Sequence, residues 1–171
     1  MKIINIHGYR GSCHNAAYTA LSALGYQPVS MQTDHDITPP EQVFSSLCDL
    51  IENNRPELVT GTSLGGFYAA LLSVRYDLPA VLVNPCLMPF YHLPILGYKG
   101  DIAPFIRMFA ELSKLDSSKI HCIIGGKDEV VTTHSFTRRL IGEDRIKVIP
   151  DGMHSGATLP LTEYFSDIMQ E

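Results

Sequence analysis

Cysteine is scarce and scattered. The four residues, Cys13, Cys48, Cys86 and Cys122, stand more than 30 positions apart and form no Cys-x-x-Cys pair. That spacing excludes both a disulfide framework and a zinc knuckle, and it suits a cytoplasmic protein with free thiols. Charge is also sparse, at 18% of residues with a formal net charge of -5. Without a basic block there is no electrostatic footprint for nucleic acid or for an anionic membrane. No run reaches the roughly 18 apolar residues of a spanning helix. The apolar part of Met1 to Ile6 is too short for the core of a signal peptide. His-x-His and Glu-x-x-His pairs are missing, so no metal site is expected. There are no repeats, low-complexity tracts or linkers, and a chain of 171 residues suits one domain over 1–171.

Apolar residues, by contrast, make up 45% of the chain, enough for a sizeable core. They fall into short runs that alternate with helical patterns. Ile3–Ile6, Val29–Met31, Leu58–Thr60, Ala80–Val83, Ile120–Ile124 and Arg145–Ile149 read as strands. Apolar spacing of three and four predicts helices over 13–24, from Thr38 onward, over 64–76, 104–115, 133–141 and 158–170. Thr38 is placed to cap the second of these, with Glu41 completing a capping box. Strand and helix in strict alternation predict a doubly wound, mainly parallel six-stranded sheet with helices on both faces, in three layers. Residues 85–102 break the rhythm with Pro85, Pro89, Pro94, Gly97 and Gly100, and they read as an apolar loop or small lid.

Function in such a fold sits at the carboxyl ends of the strands. Gly61-Thr62-Ser63-Leu64-Gly65 lies at one of them. Gly-x-Ser-x-Gly alone occurs by chance in roughly one chain of this length in 20, so its setting has to carry the argument. Here a strand leads in and a helix leads out, as a serine held on a sharp turn requires. The two glycines remove side chains where strand and helix backbones crowd. The helix N-terminus favours negative charge beside Ser63, and the Leu64 amide is placed to donate to an oxyanion.

A serine hydroxyl needs a base, and the base needs an orienting acid. Of seven histidines, His154 follows the last strand in a loop over the same sheet edge. His121 lies inside a strand and reads as structural, and His134 starts a helix as a surface or capping residue. The acid belongs after an earlier strand, where Asp128 stands, with Glu129 as its rival one residue away. The loop after the first strand, His7 to Ser12, offers the Tyr9 amide as the second oxyanion donor, and His7 reads as a structural hydrogen-bonding group.

With Ile6-His7-Gly8-Tyr9, the Ser63 motif, Val83-Asn84-Pro85, Gly126-Lys127-Asp128-Glu129-Val130 and Asp151-Gly152-Met153-His154-Ser155 in this order, the chain resembles the α/β-hydrolases, and among them the small bacterial esterases of the YqiA type. The resemblance implies a reduced α/β-hydrolase fold with a minimal lid, a carboxylic-ester or thioester hydrolase, and a triad of Ser63, Asp128 and His154. The expected substrate is a small-molecule acyl ester or thioester, with no cofactor. Phe90, Leu93 and Leu96 are the candidate acyl-pocket residues. A thioester-specific hydrolase and a non-catalytic binding module of the same fold are the alternatives.

Overall fold

A computed structural model describes residues 1–170. Six strands, β1 (Ile3–Ile6), β2 (Val29–Ser30), β3 (Leu58–Thr62), β4 (Ala80–Val83), β5 (Ile120–Gly125) and β6 (Ile146–Ile149), form one sheet in the order β2-β1-β3-β4-β5-β6. All five pairings are parallel. The helices are α1 (Ala16–Ala23), α2 (Pro40–Asn54), α3 (Leu64–Tyr76), α4 (Pro89–Ile95), α5 (Ala103–Phe109), α6 (His134–Ile141) and α7 (Leu161–Ile168).

Side-chain alternation along the strands divides the core between the two faces of the sheet. Ile4, Ile6, Val59, Leu82 and Ile124 point one way, into a cluster with Val43 and Leu47 of α2, Phe67 and Leu71 of α3, Phe105 of α5 and Ile141 of α6. Ile3, Leu58, Val81, Val83 and Ile123 point the other way, toward Ala17 and Leu21 of α1 and Phe165 of α7. Helices therefore cover both faces, and the architecture is the three-layer α/β/α arrangement expected from the apolar runs. Every residue of α3 from Leu64 to Ser73 is buried, which makes the helix behind Ser63 the most deeply packed in the fold.

Several boundaries differ from the sequence reading. β3 extends two residues further, through Gly61 and Thr62, so Ser63 leaves the strand directly. Residues 85–102 are not simply a loop: α4 forms there despite Pro94 in its interior. Seven residues make barely two turns, so Pro94 deprives the helix of little backbone pairing. The expected helix at 104–115 divides into α5 and a tighter 3₁₀ turn, Ala110–Lys114. Thr38 does not cap α2. Its backbone N–H donates to the Asp34 carbonyl, and Pro39 takes the cap position without a side-chain bond.

Candidate active site

Ser63 sits at φ 54° and ψ -119°, a backbone conformation that residues with a β-carbon rarely adopt. The surroundings hold it there. Its N–H donates to the Val83 carbonyl at 3.0 Å, and its carbonyl accepts from the N–H groups of Gly66 and Cys86, each at 2.9 Å. A β-carbon on Gly61 would run into the Gly65 carbonyl, and one on Gly65 into the carbonyl of Ile6. The motif's glycines are thus demanded by close approach of three backbone segments, as the sequence suggested.

The Ser63 hydroxyl meets His154. Nε2 of His154 lies 3.1 Å from Ser63 Oγ, and Nδ1 lies 3.0 Å from each carboxylate oxygen of Asp128. A carboxylate accepts only, so Nδ1 carries the proton and Nε2 is left to accept from Ser63. Asp128, with a side chain only 1% exposed, also accepts from the N–H groups of Val130 and Val131, both at 2.9 Å on Oδ1. Burial opposes its ionisation. The hydrogen bonds from His134, His154 and the Val131 N–H outweigh that and hold its pKa well below the usual carboxylate range. Glu129 meets the same loop differently: its carboxylate accepts the His154 backbone N–H at 3.0 Å. Of the two rival acids it is therefore Asp128, and not Glu129, that bonds to the imidazole.

Two residues in this arrangement carry roles that the sequence reading assigned differently or not at all. His134 is not a surface or capping residue: its Nε2 lies 2.8 Å from Asp128 Oδ2. Asn84, fully buried, clamps the His154 loop in place. Its amide nitrogen donates to the carbonyls of Met153 and His154, at 2.9 and 2.8 Å, and its oxygen accepts from the Gly125 N–H at 2.7 Å. Nothing in a lone Asn-Pro pair signals that role. The six-residue gap from Asp128 to His134 is a faint hint that the two share a turn.

The sequence profile of the uncharacterised protein family UPF0227 matches residues 2–101, more than half of the chain. The chain belongs to UPF0227. Solved structures share its fold over 99% of its length. Est1E from Butyrivibrio proteoclasticus superposes with a TM-score of 0.68 at 15% identity, over 88% of that chain. A carboxylesterase structure from the ammonia-oxidizing thaumarchaeon Nitrososphaera gargenis gives 0.66 at 13% and 88%. Alpha/beta hydrolase domain-containing protein 10 from mouse gives 0.61 at 15% and 89%. At such identities the likeness speaks for the fold, which is that of the α/β-hydrolases.

The UPF0227 segment contains Tyr9, Ser63, Leu64 and Asn84, whereas Asp128, His134 and His154 lie beyond it. Within the segment, Gly8 lies against Ser63: a β-carbon there would come 3.0 Å from Ser63 Cβ. The adjoining Tyr9 loop is strapped down. The Tyr9 hydroxyl donates to Asp36 at 2.5 Å, Arg10 Nε to the same carboxylate at 2.9 Å, and the Arg10 guanidinium lies over the Tyr9 ring. His7 is buried beneath. Its Nε2 accepts from the Thr33 N–H, so Nδ1 carries the proton and donates to the Gly8 carbonyl at 2.7 Å. Burial lowers its pKa. The structural role read for His7 fits these bonds.

The three acyl-pocket candidates do not stay together. Leu93 is 1% exposed and belongs to the core, so it cannot line an open pocket. Phe90 is half-buried against Phe109, and Leu96 is exposed at the end of α4. The helical turn of α4 separates them, since Leu93 faces inward where a loop could have turned it out. Among the described residues, no helix is long and apolar enough to cross a membrane.

Proposed function

We propose that this chain is a cytoplasmic serine esterase that cleaves carboxylic esters of small or medium acyl groups through an acyl-enzyme. The observation that carries the reading is His154 standing between the Ser63 hydroxyl and the Asp128 carboxylate, at 3.1 and 3.0 Å, with Ser63 on a strained turn. Those distances are the hydrogen-bond reach that a base and its orienter need. The α/β-hydrolase fold and the motif-by-motif resemblance to the YqiA-type esterases point the same way.

In this mechanism Ser63 Oγ attacks the ester carbonyl as His154 Nε2 takes its proton. Asp128 stabilises the imidazolium that forms and fixes its orientation. The carbonyl oxygen gains negative charge and accepts from the backbone N–H groups of Leu64 and Tyr9. Leu64 begins α3, so its N–H is one of the first-turn donors without a partner inside the helix. Preorganised donors of this kind are the largest single source of rate in acyl transfer. The tetrahedral intermediate collapses, His154 protonates the departing alcohol, and the acyl group stays on Ser63. Water then gives its proton to His154 and attacks the acyl carbon, releasing the acid and restoring Ser63. Phe90 and Leu96 offer the acyl chain an apolar wall.

The test is a hydrolysis screen of matched esters and thioesters, run with wild type and Ser63→Ala in parallel. Wild type turns over short and medium acyl esters, Ser63→Ala falls to background with its fold intact, and a serine-reactive phosphonate labels Ser63. Activity retained in Ser63→Ala overturns the assignment. Turnover of thioesters alone replaces the ester with its sulfur analogue as substrate.

A further inference from the structure

We propose that His134 is a positioning residue of the relay, a donor that holds the Asp128 carboxylate in plane for His154. The inference rests on the esterase reading for its kinetic consequences, though not for its geometry.

The two oxygens of Asp128 are held unequally. Oδ1 is pinned by two backbone N–H groups, from Val130 and Val131. Among the described residues, Oδ2 has His134 Nε2 at 2.8 Å as its only donor apart from the shared His154 Nδ1. Without His134, one oxygen of a fully buried carboxylate would depend on the catalytic imidazole alone. Rotation about the Cβ–Cγ bond would then break the symmetrical approach of His154 Nδ1 to both oxygens.

The tautomer follows from the surroundings. Nε2 faces a carboxylate and must carry the proton, while Nδ1 is buried and meets no hydrogen-bond partner among the described residues. His134 therefore aims one N–H at Asp128 and leaves its other ring nitrogen unpaired among the described residues. The titratable groups facing it are Asp128, His154 from the loop after β6, and His92 from α4. His92 belongs to the same assembly: it is buried, and its Nε2 lies 2.9 Å from the hydroxyl of Thr133, the residue at the start of α6. The turn that aims His134 is thus tied to α4, which carries Phe90 and is capped by Leu96, the two residues of the proposed acyl wall.

The effect runs through alignment. Asp128 stabilises the imidazolium that forms at His154 only while its carboxylate lies square to Nδ1. Removing the donor on Oδ2 frees the carboxylate to turn and weakens its bond to His154 Nδ1.

Two readouts test this, on wild type, His134→Leu and His134→Gln. Glutamine places an amide N–H near the position of histidine Nε2, whereas leucine fills the space without a donor. The first readout needs no substrate: the NMR resonance of the His154 Nδ1 proton in the full chain. His134→Leu should move this resonance and speed its exchange with water as the bond to Asp128 loosens, and His134→Gln should return both toward wild type. The second is kinetic: His134→Leu should lower kcat about ten-fold at nearly unchanged KM, with recovery in His134→Gln. If leucine leaves both readouts unmoved, or glutamine is no better than leucine, His134 only packs and the inference is overturned. If the leucine variant does not fold, His134→Asn, too short to reach Oδ2, takes its place with the same expectations. Should the chain cleave no ester while the His154 Nδ1 resonance moves as described, the esterase reading falls and the positioning role stands. An ester activity abolished by Ser63→Ala, with both readouts unmoved in His134→Leu, would instead uphold the esterase and remove the positioning role.

Discussion

The serine and its two partners are held by different means. Around Ser63 the constraints are backbone on backbone: a left-handed φ, carbonyls in contact with glycine positions, and a helix buried from Leu64 to Ser73. Around Asp128 and His154 they are side chain on loop: Asn84 on two carbonyls, Glu129 on an amide, and His134 on the carboxylate. A backbone turn of the first kind is cooperative with the fold and cannot be loosened without losing it. A network of the second kind can lose members one at a time. Damage to the first region should therefore appear as instability, and damage to the second as lost rate.

Gly65→Val carries the largest expected effect. Its side chain would enter space held by the Ile6 and His7 carbonyls, and we expect loss of about 4 kcal/mol or more, enough to abolish cooperative unfolding in urea. A near-native midpoint would break the contrast between the regions. Asp128→Asn comes next, with kcat/KM lower by roughly two to four decades and a much smaller shift in the urea midpoint. Glu129→Gln, which disturbs only a backbone contact, should do far less, and the reverse ranking would show that the geometry misleads. Asn84→Ala tests both regions at once, because Asn84 follows β4 beside the serine turn yet grips the His154 loop. It takes the acceptor from the buried Gly125 N–H and a donor from two part-buried carbonyls, and should cost about 2 kcal/mol, with a fall in kcat/KM that Tm alone does not account for.

The smallest effect at neutral pH concerns a titrating histidine. Burial and the neighbouring His7 depress the pKa of His35 from 6.5 to about 4. Between those values the unfolded chain binds a proton that the folded chain does not, so stability declines as pH falls from 6.5 to 4 and is unaffected by this group above 6.5. The decline attributable to His35 is at most about 3 kcal/mol when complete. His35→Phe, which can keep the stacking on Tyr68, should flatten the fall of Tm across that window. An unchanged slope would assign the acid sensitivity elsewhere.

The same contrast governs what the sequence reveals. Six apolar runs and the helical spacing between them were enough for the parallel three-layer sheet, because burial on both faces of a strand leaves a mark on every residue of it. The Ser63 turn was legible for a similar reason, since backbone crowding demands glycine at fixed positions. Asp128 and His154 could be chosen only by their order and by their place after a strand. The bonds of Asn84 and His134 went unread because a side chain reaching 40 or 70 residues along the chain, or back across a turn, imposes no local pattern. The segment after β4 read as a loop or small lid because its prolines and glycines break the rhythm, yet a two-turn helix accommodates proline at 94 and turns Leu93 into the core.

The strand order has a temporal consequence. From β3 onward the sheet grows outward in chain order, β3, β4, β5, β6. During synthesis the amino-terminal elements emerge and fold first, so the serine turn can form before its hydrogen-bonding partner exists. Asp128 arrives with the fifth strand, and His154 only after the sixth has joined the edge. On the esterase reading, a nascent chain therefore carries a shaped but inert serine. Hydrolysis begins only when the last strand has docked and Asn84 has closed on the loop behind it, which makes the onset of activity a clock for the final step of folding.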